Sequence, residues 1–401
     1  MTRSTIPATA VAIATYVIVA GIFTQSGVVL QPAAAYFHTS VPDTAALFSF
    51  MSAGNLSGIL LSLVLFNLCS IRRVLTGAYA GFALALGVIV ATHALFVACV
   101  AVYVMGLAVG TGLSAGAVIL AKLYSDRARA VAFLGTDCAF SASGFVVPAL
   151  VGTLLAAHWV WWSGYVVVGA LALATLVAAN VIAFPATGRA AAAIDAAHAA
   201  AREPARRGAY VTIALFAIGL ALYLTGQTTF TIWAPTVLQS VLGVPALQAS
   251  TIVSSFFGPS SLGLVSAAVL VSRIPPRFVL LFALAMGTIL TLTLALITDA
   301  HAFFLVTFAF GFTTTCMFKL MISIGSEQLP SSPPSLVTFL LFCSGIGTTA
   351  APILSAQLVK RSGVHASLWV AFAFYAATML VIAGALFTER ATRVRLVVAT
   401  A

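Results

Sequence analysis

The stretch PATGRAAAAIDAAHAAAREPARRGA, residues 185–209, is the longest polar interruption in this chain. Arg189, Asp195, Arg202, Glu203, Arg206 and Arg207 place it in water, and long, almost uncharged apolar runs lie on both sides of it. Working outward, these runs occupy 7–30, 45–68, 75–92, 95–120, 130–157 and 159–184 before it. After it they occupy 210–236, 249–271, 278–297, 302–324, 336–359 and 367–387. A helix crossing a bilayer needs about 20 apolar residues. The runs are too long and too continuously apolar for the alternating strands of a membrane barrel, and a lipid-facing backbone must satisfy its own hydrogen bonds. The reading is an all-α polytopic membrane protein with twelve transmembrane helices in two pseudo-symmetric six-helix bundles. The predicted parts are an N-terminal bundle over 1–184, a cytoplasmic linker over 185–209 and a C-terminal bundle over 210–401.

Composition agrees. Of 401 residues 62% are hydrophobic and 6% charged, whereas soluble domains carry about 25% charged residues. Such a chain cannot cover a globular surface in water, which excludes an ordinary soluble enzyme. The net charge of +10 tracks membrane sidedness and not nucleic acid. With a cytoplasmic N-terminus, Arg3, Arg72, Arg73, Lys122, Arg127, Arg129, the four linker arginines, Arg273, Arg277, Arg390, Arg393 and Arg395 fall inside. Only Lys360 and Arg361 fall outside, and Lys319 lies within a span. That bias satisfies the positive-inside rule, so both termini are predicted to be cytoplasmic, with the first segment a retained helix. Cys69, Cys99, Cys138, Cys316 and Cys343 have no ligand spacing and read as small buried hydrophobes. No P-loop, nucleophile triad or metal-ligand cluster appears, so neither an enzyme nor a resident cofactor is expected.

The two halves repeat. Spans one and seven begin at residues 7 and 210, spans five and eleven at 130 and 336, so the offset recurs to within a few residues. Small residues and Pro recur too, in GTGLSAG (110–116), SASGFVVPALVG (141–152), FFGPSSLG (256–263) and CSGIGTTAAP (343–352). Small residues let helices approach closely and Pro bends them. Any single glycine reads as packing; four such segments at matching places point to a moving interface.

Lys319 is the most informative side chain. In TTTCMFKLMISIG (313–325) it stands eight residues from Glu327, roughly 12 Å of helix. An unpaired charge there costs at least about 2.5 to 3.5 kcal/mol on insertion scales, so it needs a partner, water or an anionic ligand. Thr315, Lys319, Ser323 and Glu327 recur every four residues on one helix face, as a water-lined stripe would. The alternatives are a lysine that snorkels to the headgroups or one held in a structural ion pair. Asp137, in FLGTDCAFSASG (133–144), sits at a similar depth in the other half, with Ser141 and Gly144 on its face. An Asp137–Lys319 gate on the cytoplasmic side is one expectation; a static or purely local role for Asp137 is the other. Met317 and Met321 beside Cys316 could hold Cu(I), although methionines at helical spacing are more often core.

Three stretches, FLGTDCAFSASGFVVP (133–148), LTGQTTFTIWAP (224–235) and SIGSEQLPSSPPSLVTFLLFCSGIGTTAAP (323–352), resemble the TsgA-like branch of the major facilitator superfamily, near the fucose-permease-like transporters. The resemblance implies the major facilitator fold, built from two parallel repeats around a midplane site, and transport by alternating access. It implies that spans one, four and seven line the cavity, which makes Tyr16, Gln25, Tyr103, Tyr223 and Gln227 substrate-contact candidates beside Lys319 and Thr315. Trp233 is expected to be an interfacial anchor. Fucose permease and its relatives use acids in spans one and four, which contain no Asp or Glu here.

These features lead to a secondary transporter, by symport or antiport, of the cytoplasmic (inner) membrane, working as a monomer in the lipid bilayer on a small-molecule substrate. A buried cation favours a small organic anion, a carboxylate above all, with a proton as candidate coupling ion. Asp137, Lys319, Ser141 and Glu327 are the gate or coupling candidates. The alternative is an exporter of an amphipathic metabolite or drug.

Overall fold

A chain surrounded by hydrocarbon has no water to satisfy its peptide groups, and the computed structural model answers that constraint with helices. It describes residues 5–124, 126–184, 207–328 and 334–400, among which no strand occurs. The elements are α1 (Thr5–Thr24), α2 (Ser26–Tyr36), α3 (Val41–Thr44), α4 (Ala46–Leu68), α5 (Ile71–Ala91), α6 (Leu95–Leu123), α7 (Asp126–Ala156) and α8 (Ser163–Val181). They continue with α9 (Arg207–Ser240), α10 (Ala246–Phe257), α11 (Ser260–Val271), α12 (Pro276–Leu296), α13 (Ala300–Ser326), α14 (Pro334–Ser362) and α15 (Ala366–Thr400). Among the described residues twelve helical stretches are long and apolar enough to cross a membrane, at the places the apolar runs predict. Most of the linker, residues 185–206, lies outside the described residues.

Prolines act differently from place to place. Helices α7, α9 and α14 run through Pro148, Pro235 and Pro352, so neighbouring turns absorb the lost hydrogen bond. Span eight does break, between α10 and α11 at Gly258 and Pro259. Span one breaks as well, at Gln25 between α1 and α2. Its carbonyl accepts from the amides of both Val28 and Val29, at 3.0 and 3.1 Å.

The described residues fall into two compact units, one within Met1–Ala197 together with Ala234–Gly258, the other within His198–Trp233 together with Pro259–Ala401. In the first, α4 and α6 pack backbone to backbone. A Cβ at Gly54 would overlap the carbonyl of Tyr103, one at Gly58 that of Leu107, one at Gly106 that of Met51, and one at Gly110 that of Asn55. Lipid tails give helices no hydrophobic reason to associate, so such close van der Waals contact is what holds them together. Ser143 of α7 donates to the Val17 carbonyl of α1 at 2.9 Å. Helix α10 also packs on α7 here. Ser254 donates to the Phe145 carbonyl at 2.6 Å, and the Phe257 ring lies against Gly144, edge-on to Phe140 at 6.2 Å.

The second unit is built on aromatics. Phe303, Phe230, Phe310, Tyr375 and Tyr223 form a connected column with ring centroids 5.2 to 6.4 Å apart. Gly347 of α14 lies against the backbone of Ala221, and Thr225 donates to the Gly347 carbonyl at 3.2 Å. Trp233 differs from expectation. It is fully buried and its indole nitrogen donates to the Ser355 hydroxyl at 2.8 Å. A tryptophan near the end of an apolar run reads as a boundary anchor unless a neighbouring helix supplies an acceptor, and α14 supplies one.

Candidate functional site

Helix α13 has two faces of opposite character. Phe303, Thr307, Phe310, Thr314, Met317, Met321 and Ile324 are buried and form the side turned into the second unit. The other side is exposed, and its chemistry changes along its length. Leu305, Phe308 and Phe312 make its N-terminal half apolar, whereas Lys319, Ser323 and Glu327 are exposed on its C-terminal half. Thr315 lies between them, half-buried, with its hydroxyl donated back to the Gly311 carbonyl. The Lys319 ammonium stands 5.8 Å from the centroid of the Phe318 ring, within range of a cation–π attraction. Ser323 donates to the Glu327 carboxylate at 3.5 Å. Lys319, Ser323 and Glu327 thus share one exposed face of this helix, with Thr315 half-buried at its N-terminal end. Its apolar continuation was not read from the sequence, because Leu and Phe in a membrane span carry no signal of which neighbour they face.

Met317 and Met321 are wholly buried, and among the described residues no group of three His, Cys, Asp or Glu could hold a metal. The sulfurs belong to the core, where polarizable side chains fill irregular space.

On α9, Tyr223 is buried and its hydroxyl donates to the Thr314 carbonyl at 3.2 Å, while Gln227, one turn on, is half-buried. Tyr223 thus fixes α9 against α13 immediately beside Thr315.

In the first unit the structure brings two candidates together. Tyr16 of α1 lies beside Thr136 and within the field of the Asp137 carboxylate of α7. Both Tyr16 and Asp137 are half-buried, and Ser141, one turn further, is buried. Tyr103 of α6 donates to the Ser57 hydroxyl of α4 at 3.0 Å. Gln25 is sealed from the surface, its side-chain amide donated to the Gly21 carbonyl at 3.0 Å. A further polar feature went unread in the sequence. Arg277 and Glu389 form an ion pair in the second unit, at 2.6 Å. The two residues are too far apart in the chain for spacing to link them.

Comparison with known proteins agrees with this architecture. The chain matches the family model described as Major Facilitator Superfamily over residues 11–341 and 216–400. It is 28% identical over 380 residues to the protein TsgA homolog of Erwinia tasmaniensis, covering 94% of each chain. It is also 28% identical over 363 residues to protein TsgA of Salmonella arizonae, covering 90% of each. Among solved structures it is similar to nucleoside transporter NupG, with a TM-score of 0.72 at 13% identity over 96% of this chain and 99% of that one. The human organic anion transporter MFSD10 gives 0.65 at 13% identity over 95% and 99%.

Proposed function

The chain belongs to the Major Facilitator Superfamily, in its TsgA-like branch, and from that premise we propose that it moves a small organic anion, a carboxylate, by secondary transport through alternating access. The observation that carries this reading is the exposed Lys319 within the span formed by α13. An ammonium group among apolar turns is costly and marks a substrate or ion path. Thr315 and Ser323 flank it on the same face, where each hydroxyl would turn its one O–H from Gly311 or Glu327 to a carboxylate oxygen. Half-buried Gln227 adds an amide that can donate or accept. Asp137, beside Tyr16 and Thr136, is the candidate to carry a coupling proton. The protein sits in the cytoplasmic membrane with both termini inside, as the distribution of Arg and Lys along the chain favours, and it works there as a monomer on this reading.

A second reading has its own support. Leu305, Phe308 and Phe312 continue the face of Lys319, so an amphipathic cargo could lay an apolar body along them, with export as the direction.

The test is a thermal-shift screen of the purified protein against organic acids, sugars and hydrophobic cations. A ligand at a hundred times its Kd stabilises the folded state by about 2.7 kcal/mol. Carboxylates are expected to raise the unfolding temperature of the native chain and not of Lys319→Ala. Stabilisation by neutral apolar compounds that survives Lys319→Ala would reject the carboxylate reading in favour of the second.

A further inference from the structure

The repeat places an arginine at the same point of both units. Arg72 is the second residue of α5 and Arg277 the second residue of α12, and they stand 205 residues apart, the spacing at which the spans themselves recur. In the second unit the guanidinium is neutralised by Glu389 of α15 at 2.6 Å. In the first unit the residue 205 positions before Glu389 is Phe184, and Arg72 finds only a backbone oxygen, donating one N–H to the Ile182 carbonyl just past α8 at 3.3 Å. Arg73 adds a second exposed cation. Neither arginine has a carboxylate partner among the described residues.

What lies along the same helix narrows the partner. Arg73, Gly77, Gly81, Leu84 and Val88 follow one another at steps of three and four residues and so share one side of α5. A Cβ added at Gly77 or Gly81 would meet nothing within 4 Å, and Leu84 and Val88 are exposed, so this side is turned to hydrocarbon. The rest of the helix is already engaged: Tyr79 and Phe82 are fully buried, and the Thr76 hydroxyl accepts from Asn180 of α8 at 3.0 Å. An occupant therefore needs an anionic head for two guanidinium groups and an apolar body for the surface beside them. A soluble acid makes no use of the second feature, and a zwitterionic lipid brings a cation that the arginines repel. Phosphate fits the head, because the planar fork of a guanidinium meets two of its oxygens at once.

We propose that the start of α5 binds an anionic phospholipid of the predicted cytoplasmic leaflet, its phosphate held by Arg72 and Arg73 as Glu389 holds Arg277 in the second unit, with an acyl chain along Gly77 and Gly81. Arginines at the cytoplasmic ends of spans attract anionic headgroups. Arg72 already touches the end of α8, so a phosphate on it ties α5 to α8 as Glu389 ties α12 to α15. The site takes lipid whatever the cargo.

Binding of tail-labelled phosphatidylglycerol to the full-length protein in a neutral detergent tests this. Unlabelled phosphatidylglycerol is expected to displace the label, whereas chain-matched phosphatidylcholine and millimolar inorganic phosphate are expected to leave it bound. An arginine near an anionic headgroup contributes about fivefold in affinity, so Arg72→Gln and Arg73→Gln together should weaken binding roughly 20- to 30-fold. Equal displacement by phosphatidylcholine overturns the choice of headgroup, displacement by inorganic phosphate overturns the lipid, and an unaltered affinity in the double variant overturns the site. Should the double variant not fold, Arg73→Gln removes a side chain with no partner among the described residues and is expected to weaken binding about fivefold. An unaltered affinity there overturns the proposal equally.

Discussion

Arg277 grips Glu389 with two parallel hydrogen bonds, from Nε at 2.9 Å and from a terminal nitrogen at 2.6 Å. The pair fastens the first turn of α12 to the point where α15 leaves its candidate span. Glu389 is 6% exposed and Arg277 24%, so removing one residue takes the opposite charge of the pair away in a largely dry place. Glu389→Ala and Arg277→Ala are each expected to cost on the order of 1 to 3 kcal/mol, short of a fully buried pair. In a double-mutant cycle of thermal unfolding the two losses should fall well short of adding. Additive losses would mean that the contact contributes nothing.

The face of α13 yields a second prediction. Lys319→Arg keeps the cation and should retain stabilisation by carboxylates, whereas Lys319→Ala should lose it. Phe308→Ala separates the two cargo classes: a small acid that never reaches Phe308 is indifferent to the change, and an amphipathic one loses affinity. Binding titrations on the three variants read this directly.

The seam between α4 and α6 makes a sharp contrast available within one unit. Gly106→Ala drives a methyl group into the Met51 carbonyl, while Gly81 of α5 has nothing within 4 Å of the same added atom. Overpacking of this kind costs about 1 to 3 kcal/mol. Gly81→Ala should instead be neutral or favourable by up to about 1 kcal/mol through helix propensity. A comparison of the two unfolding temperatures settles it, and similar values would mean that the seam yields.

Two histidines sit where glycine is usual. His38 and His158 have φ of 53° and 64° and end α2 and α7. At each end an amide one residue further reaches back across the turn, Thr39 to Ala34 and Trp159 to Leu154, both at 3.0 Å. This is the Schellman closure, whose left-handed residue is ordinarily Gly. His158→Gly should stabilise the protein by up to about 1 kcal/mol. Gly363→Ala, at a φ of 82°, should destabilise it by a similar amount. Calorimetry of both variants checks the pair of signs.

The helices were legible because hydrocarbon permits so little else: once a run is long, apolar and uncharged, its backbone has one solution. The break at Gly258 and Pro259 was not legible as a break: residues 249–271 read as one span, and FFGPSSLG carried the same small-residue and Pro signal as the segments around Pro148 and Pro352. The helices that pass through Pro148 and Pro352 show the limit of that signal, since whether a proline bends or breaks a helix depends on neighbours the sequence does not name. Lys319 stood out because one charge in an apolar span is conspicuous. The Arg277–Glu389 pair did not, because both residues lie at span ends, where charges are ordinary and say nothing of their partners. Gln25 and Tyr16 looked alike as polar groups on a first helix, yet one is sealed against Gly164 and the other faces Asp137. That distinction is made by α7 and α8, more than a hundred residues away.

Four glycines facing one another across α4 and α6 leave no side chains that could slide past each other, as interlocking ridges can. The two helices therefore have a single register and must travel as one rod. Whatever bending transport demands has to be taken up at other joints, and a probe fixed to Met51 would report the displacement of Gly106 as faithfully as its own.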